Sequence, residues 1–462
     1  MDIPILQATP VEEISRLVTK ARTSFFEHKT RSVEFRLHQL RKLYWAVKDN
    51  EARIGEALSR DLGKPFYESV TGEIGWLLND IIFVNRNLKK WVKDETPKDV
   101  DLAWNSTHYL LLRIDAKLSP ELPHRAYNYP FQLTLGPVIG AIAAGNTVVV
   151  KPSDNSPNCA VVIQEIITSA LDPSCYTVIQ GGAEEGQALL AERWDKIFFT
   201  GSSNVGRLVA KAAAVHLTPV VLELGGINPS IVTKNANPKL VARRMLWAKI
   251  MAAGQTCTSQ TYMLVEKSIL PAVVLEFQTA YKCFYPQGAK GSPDYSRIVN
   301  LQTFRRLKAM IDNSNGKIVL GGAMDEKELF IEPTVVQVDS PDDSMLAQES
   351  FGPILAILPV ENVDEAIQIA HKVQDTTLTV HTFGSKEENE KVLANTRSGL
   401  ATINDATLHI QTVRFGGIGE SGHGAYRGKA SFDVFVHQRP IFNTPSWAEA
   451  LVSMRYPPYV GA

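Results

Sequence analysis

The sequence predicts an α/β protein built from two parallel-sheet units. Between Asn146 and Gly226, short apolar strands alternate with helices, and a second series of the same kind continues from Ser230 to Val338. Strands that alternate with helices favour parallel sheets covered by helices on both faces. At 462 residues the chain is too long for a single core. We therefore expect two or three domains.

The spacing of apolar residues predicts the individual elements. Helices are predicted over 11–27, 31–60 and 69–93, before a strand at 109–114. In the first α/β unit the predicted strands are 146–150, 176–180, 196–200 and 220–224, and the predicted helices are 158–171, 184–192 and 204–216. In the second unit the predicted strands are 230–232, 258–265, 317–320 and 334–338, and the predicted helices are 238–252, 271–284 and 301–313. A last strand is predicted at Phe432–His437.

Charge, cysteine content and hydropathy exclude several classes of protein. Lys and Arg number 48 against 49 Asp and Glu, so there is no basic field for nucleic acid or for an anionic membrane. Cys159, Cys175, Cys257 and Cys283 lack both metal-site and CxxC spacing, which favours a reducing compartment and indicates no metal site. Glycine and proline interrupt the longest apolar run, 133–150, which we interpret as a helix and a strand rather than a transmembrane segment. The acidic N-terminus lacks the apolar core of a signal peptide, and we expect a cytoplasmic protein.

The first candidate functional residue is Cys257. It follows the turn Ala253-Gly254-Gln255-Thr256, where a predicted helix gives way to a predicted strand. Such a junction can hold a thiol at the edge of a cleft. By itself the pattern is weak, because a lone cysteine in a turn of small residues is more often a buried apolar filler.

Three segments of the first α/β unit are further candidates. The run from Phe198 to Gly206 reads as strand, glycine turn and helix, which suits either a phosphate or simply a tight turn. The segment Lys151-Pro152-Ser153-Asp154 ends an apolar strand and fits either ribose hydroxyls or a helix cap. Glu223 follows an apolar strand beside two glycines. Burial would raise its pKa and suit it to be a general base, with a buried salt bridge as the alternative.

Three other segments read in isolation as ordinary structural features. Asn128 precedes a predicted helix whose first residue is Pro130, so it is either an N-cap or an oxyanion donor facing a cleft. The stretches 349–353 and 415–422 would ordinarily be turns.

Taken together, these segments resemble the aldehyde dehydrogenase superfamily from about residue 10 to the end. The motifs that carry the resemblance are, in order, NYPF, GNTVVVKPS, FTGS, LELGG, GQTCT, ESFGP and FGGIGESG. Each is modest alone, but the series is highly specific. The compact N-terminus and the closing RYPPY are similar to the dimeric class 3 and fatty-aldehyde branch.

The resemblance implies oxidation of an aldehyde to a carboxylic acid through a covalent cysteine thioester. It implies Cys257 as the nucleophile, Asn128 as an oxyanion donor and Glu223 as the base, with Tyr129 lining the substrate tunnel. The implied cofactor is NAD, with NADP possible. The residues implied to bind it are Lys151, Ser153, Asp154, Gly201, Ser202, Gly206, Glu349 and Phe351.

The resemblance also implies a domain arrangement and partners. The NAD(P)-binding domain would comprise 1–85 and 115–224, the catalytic domain 225–424, and a small β oligomerisation element with the C-terminal tail 86–114 and 425–462. The expected partners are a small, apolar aldehyde and a second copy of the chain in a homodimer. Two other hypotheses stay open: a redox-inactive binding protein of the same fold, and a cofactor-independent thiol esterase.

The sequence departs from the family at three places. Where the family has a glycine-containing apolar strand before the Asn motif, this chain has the Pro- and charge-containing run 116–126. We expect 115–127 to be either a strand beside Asn146–Val150 or a loop that leaves the dinucleotide cleft without one wall. Arg414 stands where Pro is usual, in a loop that looks short, and Asp154 stands where Glu is common.

Overall fold

The computed structural model describes residues 2–95, 109–116, 126–406 and 409–459. The N-terminal region is helical because its apolar residues recur at helical spacing over long segments. Its helices are α1 (Val11–Phe26), α2 (Val33–Asp49), α3 (Glu51–Leu62), α4 (Phe66–Ser69) and α5 (Gly75–Trp91), with a π-helical turn, Val70–Ile74, between α4 and α5. The prediction of a single helix over 31–60 is therefore wrong, since one helix ends and the next begins at Asn50.

A strand pair joins the N-terminal region to the end of the chain. Strand β1 (Tyr109–Ala116) pairs antiparallel with β16 (Val436–Asn443). The prediction of a strand at Phe432–His437 is wrong in its first half, because Lys429–Asp433 forms a short helix. That helix packs against the long central helix Pro130–Ala144, where a Cβ on Gly140 would lie 2.4 Å from the Ser431 carbonyl oxygen.

The first α/β unit has the predicted alternation of strands and helices. It contains α6 (Pro130–Ala144), β2 (Val148–Val150), α7 (Pro157–Ala170), β3 (Tyr176–Val178), α8 (Ala183–Ala191), β4 (Ile197–Gly201), α9 (Ser203–Ala214) and β5 (Val220–Leu224). The pairs β2–β3 and β4–β5 are parallel. A C-terminal strand, β15 (Gly422–His423), pairs antiparallel with β5, with Gly422 opposite Glu223.

The second α/β unit is built around a seven-stranded sheet, with β9 and β10 as a separate pair. In chain order its elements are β6 (Pro229–Val232), α10 (Pro238–Ile250), β7 (Tyr262–Glu266), α11 (Leu270–Phe284), α12 (Leu301–Asp312), β8 (Lys317–Leu320), β9 (Met324–Asp325), β10 (Phe330–Ile331), β11 (Thr334–Gln337), β12 (Ile354–Val360), α13 (Val363–Val373), β13 (Thr376–Phe383), α14 (Lys386–Ala394) and β14 (Arg397–Ile403). The strand order is β14-β13-β6-β7-β12-β11-β8, and only the β11–β8 pair is antiparallel.

Each face of this sheet has its own core, because successive side chains of a strand point to opposite faces. Leu264 and Ala356 belong to one buried cluster, whereas Met263 and Ile357 belong to the other. Parallel strands buried on both faces explain the nearly continuous apolar runs in the sequence. The prediction of an α/β fold with two parallel-sheet units is confirmed.

The altered run before Asn128 is only partly described. Asp115 and Ala116 end β1 and pair with β16, whereas 117–125 lie outside the described residues. Within the described part of the chain, β2 pairs with β3 alone. The choice between a strand and a loop over 115–127 falls mainly on residues outside the described part of the chain and stays a prediction.

The apolar run 133–150 folds as a buried helix and a buried strand, as predicted. Among the described residues, no helix is both long and apolar enough to cross a membrane.

Candidate active site

Segments from both α/β units and from the C-terminal region meet around one cavity of about 230 Å³. Cys257, Glu223 and Tyr129 all line it. Its walls are largely apolar, with Trp76, Leu133, Leu224, Trp247, Met251 and Phe415 among them. The structure thus brings together a thiol, a carboxylate and a phenol that lie far apart in the sequence.

The thiol of Cys257 is presented by an unusual turn. Helix α10 ends at Ile250, and Ala252, Ala253 and Gly254 then take left-handed conformations, with φ of 47°, 50° and 72°. A Cβ on Gly254 would lie 2.2 Å from the Gly352 carbonyl oxygen. The turn therefore requires glycine at this position.

Burial, together with the nearby carboxyl groups of Glu349 and Glu223, raises the pKa of the Cys257 thiol to about 12. The positive charge of Arg427 acts in the opposite direction. Because the thiolate is the reactive form, the resting thiol needs a base or a positive charge to become a nucleophile.

Glu223 lies on β5 and is 4% exposed. Neither of its carboxylate oxygens has a hydrogen-bond partner among the described residues. Burial raises its pKa well above the ordinary value, and Arg427 partly opposes that rise. The alternative of a buried salt bridge fails within the described residues, where no cation lies within ion-pair distance of it. A carboxyl group with a raised pKa can take up and release a proton near neutral pH.

Asn128 lies next to the cavity but is not among the residues that line it. Helix α6 has Tyr129 as its N-cap residue, so the interpretation of Asn128 as the N-cap is wrong. Asn128 is buried, and its backbone carbonyl accepts a hydrogen bond of 2.7 Å from Lys64 Nζ. The Tyr129 hydroxyl lies 3.4 Å from Thr256 Oγ1, which links the two segments around Cys257. The oxyanion role of Asn128 stays a prediction.

A second cavity, of about 450 Å³, lies between α8 and α9. Asp154, Gly182, Gly186 and Leu208 line it. Gly206 is buried, and a Cβ there would lie 2.7 Å from the Leu224 side chain, so α9 packs closely on β5. An open cavity beside the start of a helix fits a dinucleotide, whose phosphates bind well to the free amides of a helix N-terminus.

The predicted cofactor residues at the starts of α9 and α7 take different positions. Gly201 ends β4, and Ser202 is the N-cap residue of α9. Lys151 is fully buried, and its ammonium donates a hydrogen bond of 2.5 Å to the Gly181 carbonyl. Ser153 Oγ accepts a hydrogen bond from the Asn155 amide. Neither Lys151 nor Ser153 lines the second cavity.

Glu349 and Phe351 lie in the loop that leads into β12. The Glu349 carboxylate packs directly on Gly225, where a Cβ would come within 2.2 Å of Oε2. Burial raises the pKa of Glu349 to about 7, and the Gly226 amide and Arg306 partly oppose the rise. Glu349 Oε1 is buried without a hydrogen-bond partner among the described residues. An orphaned acceptor of this kind fits a ribose hydroxyl.

Phe351 has a left-handed backbone, and its ring lies edge-to-face on Tyr127 at 5.8 Å.

The sequence did not single out Arg427, which lines the catalytic cavity and is 4% exposed. Its guanidinium stacks over the rings of Trp76 at 4.5 Å, Tyr426 at 4.9 Å and Phe415 at 5.2 Å. It forms no salt bridge with a described residue, and its Nε has no partner among them. The positive charge is therefore available to the acidic groups of the cavity. Lone arginines in loops have no sequence pattern that would have revealed this.

The sequence also missed Lys249, which is buried beneath the Cys257 turn. Its ammonium donates to the Gln260 carbonyl at 2.5 Å and to Ser350 Oγ at 3.1 Å. Burial lowers its pKa to about 7, and Glu349 acts against that shift. Lys249 thus ties the Cys257 segment to the segment that carries Glu349. The position of Lys249 in the last turn of a helix does not predict that its side chain is buried.

Known proteins similar to this chain identify its family. The profile of the aldehyde dehydrogenase family matches residues 4–441. The chain is 47% identical over 461 residues to the beta-apo-4'-carotenal oxygenase of Neurospora crassa, covering 99% of this chain and 86% of that protein. It is 38% identical over 451 residues to the dimeric NADP-preferring aldehyde dehydrogenase of Rattus norvegicus, covering 97% and 98%.

A solved structure gives the same result. The substrate-bound AldH of Staphylococcus aureus superposes with a TM-score of 0.91 at 38% identity, covering 94% of each chain. The predicted resemblance, including its class 3-like branch, is confirmed. The chain therefore belongs to the aldehyde dehydrogenase family, enzymes that oxidise aldehydes to carboxylic acids with NAD or NADP.

Proposed function

We propose that this chain oxidises an apolar aldehyde with Cys257 as the nucleophile and Glu223 as the general base. The observation that carries the proposal is that these two side chains line one largely apolar cavity. A covalent oxidation of this kind needs a thiol and a base. The carboxyl group of Glu223 can be that base, because its oxygens have no hydrogen-bond partner among the described residues.

The first step is attack of the Cys257 sulfur on the aldehyde carbon. The thiol gives up its proton to Glu223, whose carboxylate opens onto the same cavity. The C–S bond forms, and the carbonyl π electrons move to oxygen. The amide of Asn128 and the backbone N–H of Cys257 stabilise the resulting oxyanion. One such donor is typically worth about 3 kcal/mol. Arg427 offsets the negative charge that builds up in the cavity.

Asp154 at the second cavity, the start of α9 and the loop before β12 would together hold NAD(P). Ser202 and the α9 amides suit the pyrophosphate, and the orphaned Glu349 oxygen suits a ribose hydroxyl. Lys151, Ser153, Gly201, Gly206 and Phe351 complete the proposed set. Bound there, NAD(P) would supply the acceptor for the hydride on the carbon attached to Cys257, and a thioester on Cys257 would remain. We propose NAD over NADP, because the Asp154 carboxylate at this cavity would repel a ribose phosphate.

Release of the acid is the second role of Glu223. Before hydrolysis, Glu223 releases the Cys257 proton to solvent. Its carboxylate then takes a proton from water, whose oxygen attacks the thioester carbon. The C–S bond breaks, the acid leaves, and Glu223 returns its proton to the Cys257 sulfur. General-base assistance of this kind contributes typically 100- to 10,000-fold to a rate.

The apolar nature of the substrate is supported by the cavity walls. Trp76, Leu133 and Trp247 offer two rings and a branched chain that are apolar apart from the indole N–H groups. The relative from Neurospora crassa is named for a carotenal, which is an apolar aldehyde.

We also propose a cytoplasmic homodimer. The largely exposed strand β16 and the rat relative named as dimeric support the dimer.

Reduction of NAD by purified protein with an aldehyde panel tests the proposal. Cys257→Ser should abolish turnover, whereas Cys283→Ser, a matched change at an exposed thiol, should leave it intact. Equal turnover in Cys257→Ser would exclude the thiol mechanism. Titration of NAD(P)H binding by fluorescence separates out the redox-inactive alternative, which an absence of saturable binding would favour. Ester hydrolysis without nucleotide, and with no aldehyde oxidation, would identify a thiol esterase.

A further inference from the structure

The two segments that form the catalytic cavity are joined by a third, the stretch 64–73. One segment carries Asn128 and Tyr129 at the start of α6, and the other carries Cys257 after α10. The third segment comprises α4 and the π-helical turn that follows it. π-helical turns inside helices are frequent at functional sites.

Lys64 and Glu73 hold the first segment. Their side chains are fully buried and form an ion pair of 2.9 Å. Lys64 Nζ also donates to the Asn128 carbonyl at 2.7 Å and lies 4.0 Å from the centre of the Tyr129 ring. Glu73 Oε2 accepts a hydrogen bond of 2.7 Å from the Gln132 amide. The pair therefore forms hydrogen bonds to the backbone on both sides of Tyr129.

Glu68 holds the second segment. Its Oε2 accepts a hydrogen bond of 3.0 Å from the Ala252 amide. Burial raises the pKa of this carboxyl group, whereas the Ala252 amide and the Lys64 charge lower it. Ala252 and Ala253 are the residues that take the left-handed conformation before Cys257.

The bond from Glu68 is placed where the turn needs support. Alanine rarely adopts the left-handed conformation, because its Cβ crowds the neighbouring carbonyl oxygen. Two such residues in a row persist only when surrounding groups impose the conformation. Within the described residues, the Ala252 amide finds its acceptor in Glu68, which lies 184 positions away in the sequence.

We propose that Lys64, Glu68 and Glu73 form a clamp that fixes the Cys257 turn against the segment of Asn128 and Tyr129. Glu68 is then a positioning residue for the nucleophile, although it does not line the cavity itself. The inference rests on the proposed role of Cys257. A displacement of about 1 Å at a reacting group costs on the order of 100-fold in rate, so loss of the clamp lowers kcat.

Glu68→Ala tests the proposal, with Glu68→Gln as the rescuing variant. The alanine variant lowers kcat roughly 10- to 100-fold with little change in the KM for the nucleotide. The glutamine variant keeps an acceptor oxygen for the Ala252 amide and stays within about threefold of the parent enzyme. Glu56→Ala, which removes a carboxylate on α3 that pairs with Arg60 and with no other described cation, is the matched control and leaves kcat unchanged.

Alkylation of Cys257 by iodoacetamide gives a second readout that needs no turnover. Peptide mass spectrometry follows Cys257 separately from the exposed Cys283. Glu68→Ala loosens the turn and exposes the thiol, so alkylation becomes faster by at least about threefold while kcat falls. A variant that merely unfolded in part would expose the buried Cys159 as well.

A change at the strained residue completes the test. Ala252→Gly in the Glu68→Ala background recovers at least about threefold in kcat, since glycine adopts the left-handed conformation without support. If Glu68→Ala does not fold, Glu68→Asp replaces it, because its carboxylate is one methylene short of the Ala252 amide. The clamp is refuted if Glu68→Ala keeps both kcat and alkylation within about threefold of the parent, or if Glu68→Gln is equally impaired. If the parent oxidises no aldehyde, the proposed function fails, whereas the alkylation rates still decide for or against the clamp.

Discussion

Replacing Gly254 by alanine probes the backbone contact on which the Cys257 turn depends. The new Cβ would lie 2.2 Å from the Gly352 carbonyl oxygen, 2.5 Å from its carbon and 2.9 Å from the Pro353 nitrogen. All three atoms are backbone, so no side chain can rotate away, and one segment must move by about 1 Å to restore an ordinary contact. Both segments carry proposed catalytic or cofactor residues. We therefore expect kcat to fall on the order of 100-fold.

The same substitution also destabilises the fold. The left-handed conformation costs alanine about 1–2 kcal/mol relative to glycine, and overpacking adds roughly 1–3 kcal/mol. Gly288→Ala separates the two effects, because Gly288 has φ of 86° and a Cβ added there would meet no atom within 4 Å. That control should lose only the conformational part and keep kcat.

Thermal unfolding midpoints and steady-state kinetics measure both effects. The close contact between the two segments would be shown to be unimportant if Gly254→Ala kept kcat within about threefold of the parent and lost no more stability than Gly288→Ala.

The remaining predictions concern the buried acidic groups. Glu223→Gln should lower kcat, measured by NADH formation, roughly 100- to 10,000-fold, because it removes the base for both Cys257 and water. In the parent, kcat should rise with pH as Glu223 ionises, and a flat profile would count against it. Burial raises the pKa of Asp80 to about 7, so the folded state holds a proton that the unfolded state loses near pH 4, and stability falls as pH rises between these values. Asp80→Asn should recover at most about 4 kcal/mol at pH 8, and no gain there would contradict the reasoning. Because the pKa of Cys257 is about 12, its alkylation rate should climb steadily from pH 7 to about 10, and a plateau near pH 8 would show an activated thiol instead.

Local patterns in the sequence were enough to predict most of the fold. Val220–Leu224 and Lys317–Leu320 have the predicted bounds, because short apolar runs between helices and turns are read locally. The break at Asn50 was missed, since its neighbours keep helical spacing on both sides. The helix Lys429–Asp433 was missed because it is stabilised by its close contact with Gly140, far away in the sequence.

The candidate site was predictable where it follows strand ends and glycine turns. Cys257 and Glu223 were found in this way, and the structure brings them to one cavity. Arg427 was not found, because its environment is set by Trp76 and other rings from distant segments. The left-handed Ala252 was equally hidden, since alanine has no intrinsic preference for that conformation and its support comes from Glu68.

The pairing of Gly422 with Glu223 has a consequence for biosynthesis. The strand that carries the proposed base is emerging from the ribosome while its outer neighbour is still about 200 codons from being translated. Until then that edge exposes unpaired amides and carbonyls, and the cation of Arg427 is also missing. A nascent or truncated chain should therefore be inactive and prone to self-association. It should become active only when the last tenth of the polypeptide packs against this strand.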